Sequence, residues 1–185
     1  MLREKKKIEI ISEKRCNINF KRVKWFIYIL VPISVISFEI ALICGIFAFD
    51  SIKECITSLS LSYVLVLFLE INIVVFVHEF GHWFSAQFLG IKIIGIYLKI
   101  VGIIPFICQN YSIDDSIKKR DIIIYFYGGI MADSIGELLS IILFVLLDNW
   151  IFGILYVLFL MDIVLNLIPW ISGTDGRKMF LYCKR

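Results

Sequence analysis

The chain has 185 residues, of which 60% are hydrophobic and 19% charged, with a formal net charge of +3 and a mean hydropathy of +0.90. Soluble domains average about 45–50% apolar residues, and the excess here lies in long runs between short charged pieces, so a soluble globular domain is excluded and a polytopic membrane protein is indicated. The five cysteines, Cys16, Cys44, Cys55, Cys108 and Cys183, are odd in number and form no CxxC pair, which excludes a disulfide framework and a cysteine-based metal site.

The first 24 residues carry nine of the 19 Lys and Arg. Followed directly by an apolar run, this cluster reads as juxtamembrane charge rather than a nucleic-acid contact. The run that follows exceeds the 7–15 residues of a signal-peptide core and lacks a small-residue cleavage site, so it is expected to remain as a membrane helix. Residues 1–24 are therefore read as a basic cytoplasmic segment, and residues 25–185 as one membrane-embedded domain.

Four stretches are long enough to span the hydrocarbon core, which takes about 20 helical residues. They are Trp25–Phe49, Leu61–Leu89, Ile122–Leu147 and Trp150–Trp170. Between the second and third lies Ile91–Asn110, apolar and β-branched but broken by Lys92, Gly95, Lys99, Gly102 and Pro105. This pattern predicts a re-entrant or membrane-surface β-hairpin rather than a fifth span. The expected fold class is thus an all-α polytopic membrane protein of about four transmembrane helices with that one hairpin. With the N-terminus inside, Lys53 is the sole basic residue of the outer loops. That bias predicts cytoplasmic termini and an integral protein of a bacterial cell membrane.

At the end of the second stretch stands His78-Glu79-Phe80-Gly81-His82, an H-E-x-x-H pattern holding the only two histidines of the chain. Residues four apart share a helical face, so both imidazoles can reach one metal ion. Imidazole suits zinc, and a catalytic zinc keeps three protein ligands and one open position. Glu79 is not needed as a ligand and is the candidate general base. Unpaired ionisable groups inside a membrane helix are expensive, which disfavours a merely structural histidine pair. The expected cofactor is one zinc ion per chain.

Asp175, in the segment Asn166–Gly176, is the candidate third ligand, because a carboxylate binds zinc and Gly176 permits a tight turn that aims it back. Asp133 and Glu137 lie four apart on the third stretch, and Asp162 and Asn166 four apart on the fourth. Each pair shares a face toward a common interior. Asp162 or Asn166 is a candidate acceptor for the second ring N–H of a metal-bound histidine, against the alternative that these groups only bind helix to helix. Glu39 and Glu70 in the first two stretches are expected to form structural pairs.

Three segments resemble the site-2 proteases, a family of intramembrane zinc metalloproteases. HEFGH resembles the family's H-E-x-x-H, GGIMADSIGELL its Gly-Pro-Leu-Ala-Asn segment, and NLIPWISGTDG its Asn-Leu-Leu-Pro…Asp-Gly segment. The resemblance covers residues 61–185. It implies an intramembrane endopeptidase whose third zinc ligand is Asp175, whose substrate is a membrane protein or hydrophobic peptide in the lipid bilayer, and whose hairpin adds a strand to the unwound substrate. No nucleic acid is implied. Ile130 stands where the family has Pro, and Asp133 where it has an Asn that orients substrate or stabilises an oxyanion. The Asn166–Asp175 spacing is one residue longer than the family's. Two other readings stay open: a membrane metallopeptidase with a cytosol-facing site and Glu137 as third ligand, and a non-catalytic membrane binding or immunity protein that keeps the fold.

Overall fold

The computed structural model describes residues 24–57, 63–101, 104–114 and 116–184; the basic segment before residue 24 and the expected start of the second span at Leu61 lie outside them. The chain is an all-α polytopic membrane protein with one two-stranded hairpin. In chain order the elements are α1 (Trp25–Phe47), α2 (Phe49–Thr57), α3 (Val64–Leu89), β1 (Lys92–Val101), β2 (Ile104–Ser112), α4 (Lys119–Leu147), α5 (Trp150–Leu167) and α6 (Asp175–Lys184). Four of them, α1, α3, α4 and α5, are long and apolar enough to cross a membrane.

The four expected spans are all present, with shifted ends. The first ends at Phe47, because Ala48 closes it and a short helix, α2, begins at Phe49. That second helix has Phe49 and Ile56 among its exposed apolar residues and Ile52 buried. With Asp50, Lys53 and Glu54 between them, it has the composition of a helix lying at an interface. The third span begins three residues early, at Lys119, and the fourth ends at Leu167. Asp148 and Asn149 alone join α4 to α5. Asp148 adopts the left-handed conformation (φ 46°), and the Asn149 side chain accepts from Ile151 N–H at 3.1 Å as an N-cap. Gly90, also left-handed at φ 74°, ends α3.

The hairpin forms where the β-branched run predicts it, two residues longer at its far end. Its strands pair antiparallel from Lys92↔Ser112 to Val101↔Ile104, with a bulge between Ile93 and Gly95. Ile94 and Ile96 face outward and Ile93 packs on the helices, as the period of two requires.

Helix α4 is central: 44% of its most apolar window is buried, against 22% in α1 and α3. It can be approached closely because its neighbours meet it at small residues. A Cβ added at Gly81 would lie 2.2 Å from the Gly128 carbonyl oxygen, and one at Gly128 would lie 2.3 Å from Ser85 Oγ. Transmembrane helices pack through such small-residue seams, since lipid offers no hydrophobic drive for association. Two apolar clusters flank the seam. One, at the Leu89 end of α3, includes Ile27, Ala86, Tyr125 and Phe126; the other, at the opposite end, includes Ala41, Ile141, Phe144 and Tyr156.

Candidate metal centre

His78 and His82 lie on the buried face of α3, 8% and 5% exposed. At 1.5 Å per residue, His78 is about 16 Å from the Leu89 end of the helix, inside the apolar span rather than beyond it. The α3–α4 seam brings them against α4. A Cβ at Gly129 would lie 2.5 Å from His78 Nε2 and 2.8 Å from His82 Nε2, so only glycine leaves room for both rings.

Each imidazole is oriented by the partner of its Nδ1. His82 Nδ1 lies 2.9 Å from the Tyr125 carbonyl oxygen. A carbonyl can only accept, so Nδ1 carries the proton and the Nε2 lone pair is free. His78 Nδ1 lies 2.6 Å from Asp133 Oδ2 and 3.0 Å from Asp162 Oδ2. Its N–H faces carboxylates, and its Nε2 lone pair is directed the other way. Asn166 Nδ2 donates to Asp162 Oδ2 at 3.0 Å, which fixes the second carboxylate in turn.

The third group arrives from α6. Thr174 opens that helix: its hydroxyl lies 3.4 Å from Arg177 N–H and 2.9 Å from the Ile168 carbonyl. Asp175 therefore sits in the first helical turn rather than in a tight turn. Gly176 serves close approach and not left-handed backbone, because a Cβ there would lie 2.5 Å from the Leu167 carbonyl oxygen. The left-handed residue of this segment is Gly173, at φ 97°. Asp175 Oδ2 lies 3.0 Å from His78 Nε2 and 2.8 Å from His82 Nε2, and the two Nε2 atoms are 3.2 Å apart. Its other oxygen accepts from Lys178 Nζ at 2.9 Å.

Two imidazole lone pairs and one carboxylate oxygen thus converge within 3.2 Å. Lewis-basic atoms crowd together in this way stably when a cation lies among them. Ligand atoms about 2.0–2.1 Å from a tetrahedral ion stand about 3.3 Å apart, close to the observed triangle. The residues present fit a metal ion.

Beside the triangle opens a cavity of 470 Å³ lined by Glu79, Asp175 and Lys178, by Leu165 of α5, and by Tyr97 and Gln109 of the hairpin. Gln109 Nε2 donates to the Glu79 backbone carbonyl, which clips β2 to the turn carrying the motif. Burial raises the Tyr97 and Tyr111 hydroxyls, Tyr111 to about 12. Both therefore remain protonated donors at neutral pH.

The residues proposed from sequence fall into two groups. His78, His82 and Asp175 meet as a triad, and Glu79 lines the adjoining cavity. Asp133 and Asp162 meet at the back of His78, while Asn166 reaches Asp162 and not a histidine. Asp133 is fully buried and turned to His78 Nδ1, away from the substrate side where the resemblance places its counterpart. Glu137 is not among the converging ligand atoms; both its oxygens are buried without a hydrogen-bond partner among the described residues, as are those of Glu70. The expected structural pair for Glu70 is therefore absent there, and Glu39 stands exposed on α1. Sequence reasoning missed the Tyr125 carbonyl and Lys178. A main-chain acceptor carries no sequence signal, whereas Lys178, one helical turn after Asp175, could have been found had α6 been foreseen. No family model matches the chain, and no curated protein or solved structure matches it.

Proposed function

We propose that this chain is a zinc-dependent intramembrane endopeptidase, which hydrolyses a peptide bond in or near the membrane-spanning part of a membrane protein or hydrophobic peptide. The observation that carries this reading is the convergence of His78 Nε2, His82 Nε2 and Asp175 Oδ2 within 3.2 Å, deep in a bundle of apolar helices. The resemblance of three segments to the site-2 proteases supports it. Zinc held by these three residues supplies Lewis acidity and a water of lowered pKa.

The remaining work belongs to the chain itself. Glu79, on the helical turn between the two histidines, takes a proton from the attacking water and returns it to the leaving amine nitrogen. Asp133 and Asp162 hold His78 in one tautomer, and the Tyr125 carbonyl does the same for His82. The free edges of the hairpin offer main-chain groups to an unwound peptide, which must give up its own helical hydrogen bonds to be cut. Gln109 fixes the distance from that edge to Glu79. The cavity has apolar Leu165 and Phe126 beside polar Gln109 and Lys178, which suits a substrate crossing from lipid to water.

Glu79→Gln tests the reading. The variant should fold and keep one zinc per chain, yet lose cleavage of a membrane peptide by about 10²–10⁴-fold. Asp175→Asn should weaken zinc retention together with activity, because a ligand is lost. Metal analysis and cleavage measured side by side decide it. A Glu79→Gln protein as active as wild type would remove the base and with it the mechanism.

A further inference from the structure

Hydrolysis of a peptide bond places negative charge on the carbonyl oxygen, and a site that accelerates it needs a donor aimed at that oxygen. The resemblance assigns such a role to the residue at position 133. Here Asp133 is fully buried and its Oδ2 is 2.6 Å from His78 Nδ1, so it faces away from the cavity and the task falls to another group.

Among the described residues lining the cavity, Lys178 is the one Lys or Arg. Its Nζ is 2.9 Å from Asp175 Oδ1, while Asp175 Oδ2 closes the triangle with the two imidazoles. The ammonium is thus anchored one carboxylate away from the metal-binding atoms. Its charge also lies 5.3 Å from the Phe126 ring centroid, within cation–π range, which restricts the side chain on a second side. An ammonium has three donors, and Asp175 is the one hydrogen-bond acceptor the described residues give it. The side chain is 38% exposed, so the remaining donors are free to meet a ligand in the cavity.

We propose that Lys178 is the electrophilic donor of this site, binding the carbonyl oxygen of the scissile bond as it becomes an oxyanion; this rests on the protease reading above. In the addition step the water oxygen bonds to the carbonyl carbon, the C=O π pair moves to oxygen beside Lys178, and Glu79 accepts the water proton. In the collapse the pair returns, the C–N bond breaks, and the amine leaves with the proton from Glu79. Lys178 keeps its own protons throughout and acts as a fixed positive charge.

The test uses the full chain in lipid nanodiscs, with wild type, Lys178→Met and Lys178→Arg each loaded with zinc or with cobalt. Three quantities are read: metal per chain, the affinity of the small anionic probe acetohydroxamate followed through the cobalt absorption bands, and cleavage of a hydrophobic helical peptide. Lys178→Met should keep one metal per chain, bind acetohydroxamate at least tenfold more weakly, and lose kcat by about 10²–10³-fold with little change in KM. Lys178→Arg, which retains the charge, should recover most of both losses. If Lys178→Met instead loses metal in proportion to activity, the residue acts only through Asp175 and the proposal is overturned. Unchanged probe affinity and kcat in Lys178→Met overturn it as well. Failure of the protease reading shows separately, as a wild-type protein that takes up neither zinc nor cobalt, and it would carry this proposal down with it.

Discussion

Carboxylates stand at two places along the α3–α4 seam, Asp162 of α5 joining the first, and they are treated differently. Behind His78, Asp133 and Asp162 both lie within 3.0 Å of one ring nitrogen, and Asn166 secures the second of them. One turn along α4 from Asp133, Glu137 is equally buried, but neither of its oxygens has a hydrogen-bond partner among the described residues; Glu70 on α3 is in the same position. Burying a polar group costs free energy unless it is hydrogen-bonded. The first region uses its partners to aim an imidazole, whereas the second receives no such return. A buried acid in a membrane helix is therefore a poor guide to a site on its own; the decisive feature is what it is turned toward.

The largest effect that separates the two regions should come from Gly129. It sits on the site side of the seam, and a Cβ there would come within 2.5 Å of His78 Nε2 and 2.8 Å of His82 Nε2. Neither ring can step aside cheaply, since Asp133 and the Tyr125 carbonyl hold their other nitrogens. Gly129→Ala should lower zinc affinity by more than about 100-fold, beyond the 10–100-fold typical of losing a partner behind a ligand. Competition with a chromogenic chelator measures this, and helical content checks that the bundle still forms. Zinc affinity equal to wild type would mean that the rings are not confined as described.

A middle-sized effect is expected at Asp133. Asp133→Asn keeps the volume but removes the charge that holds the His78 N–H. Zinc affinity should fall by about 10–100-fold, with helical content unchanged. Asp162, 3.0 Å from the same nitrogen, softens the loss. An Asp133→Asn, Asp162→Asn double variant should therefore lose more than the sum of the single effects, expressed as free energies. Strict additivity in the same chelator competition would show that the two carboxylates do not share the proton of His78.

Much of this arrangement was legible in the residues. Four long apolar runs define the spans because the bilayer demands about 20 apolar residues for each, and HEFGH places two imidazoles on one face because the helical period does so. The hairpin could be read from β-branched residues broken by Gly and Pro. The direction in which Asp133 points was not legible. Spacing places Asp133 and Glu137 on one face of α4, but only the rotation of α4 against α3, set by the contact of Gly81 with Gly128, turns one of them to a histidine. Nor was α6 visible, since the Asp175–Gly176 pair looks like a turn until Thr174 caps the helix. Its misreading hid Lys178, which depends on helical spacing to stand beside Asp175.

The smallest effect should come from the second region, and its sign makes it informative. Glu137 is fully buried and both oxygens lack a hydrogen-bond partner among the described residues. An unsatisfied buried polar group costs about 1–3 kcal/mol, and an apolar side chain of similar size removes that cost while filling the same space. Glu137→Leu should therefore leave zinc content unchanged and cleavage within about twofold of wild type. It should also raise the stability of the protein toward unfolding in detergent by about 1 kcal/mol, the low end of that range, because leucine does not reproduce the shape of the glutamate. Denaturant titration of the purified variant reads this directly. A loss of stability would reveal that Glu137 has a partner inside the folded protein, a buried water included. A loss of zinc would go further, joining Glu137 to the site and erasing the distinction between the two regions.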